Sequence, residues 1–165
     1  MLYKKHFRLV DDVVAHLDGA IASADSFTKS RYAGFYAVSV ATVIELSVKQ
    51  IVIEFANSKS PVFGGYINRK FDRLNARVSY KDLKGMLEEF GGSYSSSFDQ
   101  LVKGADESSM RARNGSIVAS YGNLITCRHK FAHEGEVPNN STYEEIKRGF
   151  AAGKVILECL HGTLI

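Results

Sequence analysis

Several scarcities in this 165-residue chain exclude whole classes of protein. Its two cysteines, Cys127 and Cys159, form neither a CxxC pair nor a metal-ligand spacing, and they are too few for a disulfide framework. Each is expected to pack as a small apolar residue. Only two prolines occur, Pro61 and Pro138, both in breaks, a pattern that suits a helical protein with few long loops. Long uncharged apolar runs are missing too. The longest stretch, Val38 to Ala56, is interrupted by Glu45, Lys49 and Glu54, so no membrane span is expected. The N-terminus, MLYKKHFRLVDD, lacks the apolar centre of a signal peptide. A cytoplasmic protein is the expectation.

What remains is ordinary in bulk. A hydrophobic content of 45% and a charged content of 24% fit one globular domain over residues 1–165 with a single core. The net charge of +3 permits a nucleic-acid partner without requiring one.

Apolar spacing of three and four residues predicts a first helix over 2–24, on Phe7, Val10, Val14, Leu17 and Ile21. The β-branched segment 30–57 is too long for a strand and reads as a central helix, apolar on most sides. Pro61 and Gly64-Gly65 read as a turn, and 68–78 as a short helix. Ser79 to Asp82 fits a capping box opening a helix that stops at Gly91-Gly92. Residues 93–97 read as a polar loop and 98–103 as a helical turn. Residues 105–115 read as a mobile or site-lining segment. Two further helices are expected, over 116–132 and, after a second capping box at Thr142 to Glu145, over 142–160. The expected fold is therefore all-α, a compact up-and-down-like bundle of about five main helices.

The stretch CRHKFAHEG, residues 127–135, carries the chemistry. Arg128, His129, Lys130 and His133 fall within about two helical turns. Such crowding is unfavourable unless solvent screens the cations or an anion sits among them. Arginine offers a permanent planar charge suited to phosphate. Histidine can take and return a proton near neutral pH. If the helix ends between them, His133 can fold back toward the Arg128 guanidinium. Together they suffice to cleave a phosphodiester through the neighbouring ribose 2′-OH without a metal. Glu45 shares a helix face with Ala41, Val48 and Val52 and would point inward, where a carboxylate needs a partner. Arg128 is one candidate; an i,i+4 pair with Lys49 is the other. Lys130, Arg111 and Arg113 could extend a positive face toward an RNA backbone, or be plain surface charge. Tyr94, Tyr121 and Tyr143 could stack on bases, although tyrosines at helical spacing commonly pack in the core. His6, His16 and His161 lie singly, so no metal or cofactor is expected.

The string Arg128-His-Lys-Phe-Ala-His133, with a polar residue after the arginine and a small one before the histidine, resembles the signature of the HEPN superfamily. The order of helix, turn and final helix agrees, and SVATVIELSVKQIVIEFA resembles that superfamily's early helix with its inward acidic residue. Small stand-alone bacterial HEPN proteins are the most similar. The resemblance implies a metal-independent endoribonuclease, active as a homodimer with the two motifs facing across a cleft. Arg128 would stabilise the pentavalent phosphate, His133 would act on the 2′-OH or the leaving oxygen, and His129 would orient the phosphate. The products would be a 2′,3′-cyclic phosphate and a 5′-OH end. It further implies a bacterial antiviral defence or toxin–antitoxin setting with an antitoxin or other partner protein. The alternative is a non-catalytic HEPN-like module for nucleotide or RNA binding or for dimerisation.

Overall fold

A computed structural model describes residues 1–71, 78–139 and 141–165. After a 3₁₀ turn at Leu2–His6 come α1 (Phe7–Ile21), α2 (Ser26–Lys59), α3 (Pro61–Phe71), α4 (Tyr80–Phe90), α5 (Gly92–Arg111), α6 (Ile117–Glu134) and α7 (Tyr143–Leu164). The all-α class stands, with seven α-helices among the described residues where about five main ones were expected.

The bundle is organised on α2. Its β-branched residues would favour a strand locally, and burial decides otherwise. Tyr36, Val40, Ile44, Val48, Ile51 and Phe55 are all buried, while α1, α3, α6 and α7 pack around this one rod. Asp25 starts it, Oδ1 accepting the Thr28 N–H at 2.7 Å. By length and composition α2 is the one helix, among the described residues, that could cross a membrane. Its place here is the centre of the core.

Two segments expected to be irregular are helical. Pro61 opens α3 at the position where its missing N–H does no harm, and Ser60 Oγ accepts the Phe63 N–H at 3.0 Å. Gly64 and Gly65 therefore lie inside a helix that buries Ile67 and Phe71. The serines of 93–97 belong to α5, because Ser95, Phe98 and Val102 form one buried stripe. That helix continues to Arg111, so most of 105–115 is regular; Arg113 and Gly115 then turn the chain with positive φ. Of the helix expected over 68–78, the part to Phe71 belongs to α3, and residues 72–77 lie outside the described ones.

Candidate active site at the end of helix α6

Helix α6 is fixed firmly at its start. Ser116 Oγ accepts the Ala119 N–H at 3.1 Å. Asp106 of α5 accepts from the Val118 N–H at 3.0 Å and from the Ser116 hydroxyl at 2.9 Å. The buried stripe of α6 runs through Tyr121, Leu124 and Cys127. Arg128 is next to that stripe, which turns its guanidinium inward against α2. There Arg128 Nη2 lies 3.1 Å from Glu45 Oε1, and the two side chains keep 20% and 21% of their surface exposed. Of the partners the sequence offers Glu45, Arg128 is thus realised. A half-buried carboxylate and guanidinium neutralise each other where either alone would be costly.

Arg128 and Glu45 face a cleft of about 380 Å³ between α2, the start of α4 and α6. Val78, Asp82, His129 and Lys130 are also on its wall. Asp82 is a group the sequence marked only as a helix cap, which it also is: Ser79 and Asp82 form the expected capping box. Nothing in the spacing shows that the same carboxylate faces the motif.

The structure corrects the expected path of His133. Helix α6 runs two residues further than predicted, to Glu134, and Gly135 closes it in the left-handed region at φ 69°. His133 is therefore still helical and sits about 140° around the axis from Arg128. Instead of folding back on the guanidinium it stacks on His129, ring centroids 4.6 Å apart and planes 52° apart. Both rings are exposed.

The remaining candidates divide. Lys130 joins the cleft wall, whereas Arg111 ends α5 and Arg113 lies in the turn after it, near the opposite end of α6. The axis from Ser116 to Arg128 is about 18 Å long, so within one chain these arginines do not converge on the motif. Tyr121 and Tyr143 are buried and Tyr94 packs against Phe55, which removes the first two as base-stacking surfaces. Cys127 is buried behind the motif, and burial pushes its thiol up, consistent with a packing role. Among the described residues no cluster of three or more His, Cys, Asp or Glu could hold a metal.

The all-helical bundle, with Arg-x4-His at the end of its penultimate helix and an inward acid on α2, agrees with the HEPN superfamily, and a family-model match places the chain in it. More narrowly, the RiboL-PSP-HEPN family model matches residues 5–165, and the chain belongs to that family. No curated protein and no solved structure matches it.

Proposed function

We propose that the chain is a metal-independent endoribonuclease. The observation that carries this is the cleft in which Arg128, held by Glu45, stands beside His129 and Lys130. A phosphodiester entering it would meet the guanidinium in place of the Glu45 carboxylate, gaining a bidentate cation as charge builds on phosphorus. The ribose 2′-oxygen attacks phosphorus and gives its proton to an imidazole, while the P–O5′ bond breaks and the 5′-oxygen takes up a proton. A 2′,3′-cyclic phosphate and a 5′-OH remain. Histidine suits both transfers. His133 is the expected proton-transfer group and His129 the group that orients the phosphate.

Within one chain His133 is turned away from Arg128. A homodimer with facing motifs would complete the site, His133 of one chain reaching the cleft of the other. RNA is thus the substrate class, and the proposed setting is a cytoplasmic bacterial defence or toxin–antitoxin system with a partner protein.

The test is incubation of purified protein with total RNA in chelator. The wild type should cleave, and Arg128→Ala and His133→Ala should each lose at least about 100-fold of the rate with unchanged helix content. Full activity in either variant would remove the chemistry from this motif. The engagement of Arg128 by Glu45 favours one second reading, a module that binds RNA or a nucleotide without cutting it. Salt-dependent binding with no cleavage would identify that case.

A further inference from the structure

We infer that Gly34, with Arg31 one turn before it, is a positioning residue for the candidate site: it seats Phe131 on α2 and thereby sets the direction of His129 and His133. This rests on the ribonuclease reading for its catalytic consequence, and on geometry alone for the rest.

Phe131 is the spacer between the two histidines. Its ring lies directly over Gly34, where an added Cβ would come within 2.5 Å of Phe131 Cγ. Phe35 meets the same ring edge-on, centroids 5.1 Å apart. One turn earlier the Arg31 guanidinium, stacked 5.0 Å from the centroid of Phe27, donates from Nη1 to the Gly135 carbonyl. That carbonyl lies just beyond the end of α6, where helix geometry leaves oxygens without an intrahelical donor. Gly135 in turn donates its N–H to the Phe131 carbonyl at 3.1 Å.

The last two turns of α6 are thus pinned to α2 on both sides of the histidines: by Arg128 on Glu45 before them, and by Phe131 and Gly135 at and after them. His129 and His133 are exposed and touch each other, and neither is oriented by burial in the bundle. Their direction follows from the phase of the helix that carries them; the buried stripe ends at Cys127, and beyond it the seat of Phe131 holds that phase through the last turn. Glycine at 34 is unfavourable for a helix, and alanine would strengthen α2 taken alone. Damage from Gly34→Ala would therefore come from displacing the ring.

The experiment compares wild type, Gly34→Ala, Phe131→Ala and the double variant by two readouts. The first is the imidazole proton NMR spectrum across pH. The second is kcat and KM for RNA cleavage in chelator. In Gly34→Ala the His129 and His133 resonances should move and kcat should fall by about 10- to 100-fold, with KM within about twofold and circular dichroism unchanged. Because both single changes remove one contact, the double variant should lose no more than Gly34→Ala does. Arg31→Lys, which keeps a donor, should retain more activity than Arg31→Met. Unmoved resonances with unchanged kcat, or fully additive losses, overturn the inference. Should Gly34→Ala fail to fold, Phe131→Leu gives the same readouts on a kept apolar seat. Displaced resonances in a protein whose wild type cuts no RNA would sink the ribonuclease reading and leave the positioning intact.

Discussion

Arg128 and Glu45 are 83 residues apart in the chain and 3.1 Å apart in the fold, joined across the cleft between α6 and α2. The carboxylate engages one guanidinium nitrogen, Nη2, of the group proposed to meet the phosphate. The pair orients Arg128, and on the proposed ribonuclease reading it would also compete with an incoming anion.

Glu45→Gln separates these effects. The amide oxygen can still accept a hydrogen bond, but the competing charge is gone. We expect tighter RNA binding at low salt together with a stability loss of about 1–3 kcal/mol. Urea unfolding and a fluorescence binding titration check the two halves; weaker binding would show that orientation outweighs competition.

Asp99 ties α5 to α4. Lys103 and Lys84, each 2.7 Å away, and the Tyr80 hydroxyl hold its carboxyl far below the usual carboxylate range. A depressed folded pKa stabilises the fold above the unfolded value of about 3.9 and ceases to do so as pH falls toward the folded one. Asp99→Asn should thus unfold more easily at neutral pH, and its deficit should shrink as pH falls below about 4. Thermal midpoints measured across that range test the sign; a deficit that grows on acidification would refute it.

Tyr121 is 1% exposed, and its hydroxyl donates to the carbonyl of Val78 on the cleft wall. Tyr121→Phe leaves that carbonyl buried without this donor. The expected loss is about 1–3 kcal/mol in urea unfolding with helix content retained; an unchanged midpoint would mean that the carbonyl finds another donor.

How far the sequence could be read follows the range of the forces involved. Local signals placed the caps at Ser79 and Thr142, and the length of its apolar segment placed α2. The inward face of Glu45 and its need for a cation were also legible, with Arg128 and Lys49 as the two candidates; the structure shows the Arg128 pair. Two kinds of feature were not. Gly64-Gly65 and the serines of 93–97 look like loop chemistry, and only their packing against buried neighbours makes them helical. The direction of His133 depends on where α6 stops: with the helix continuing to Glu134 it stays on the helix, about 140° around the axis from Arg128, instead of folding back across the terminus. Asp82 was hidden for a different reason: its capping role explains it fully until α4 is placed beside α6.

The seat of the Phe131 ring over Gly34, in space that a Cβ would need, also bears on how this chain can diverge. A larger residue at 34 is admissible only with a smaller one at 131, so neither position is free to drift alone. Among relatives that keep the Arg-x4-His spacing, side-chain volume at these two sites should vary inversely, a trace readable from sequences without any assay.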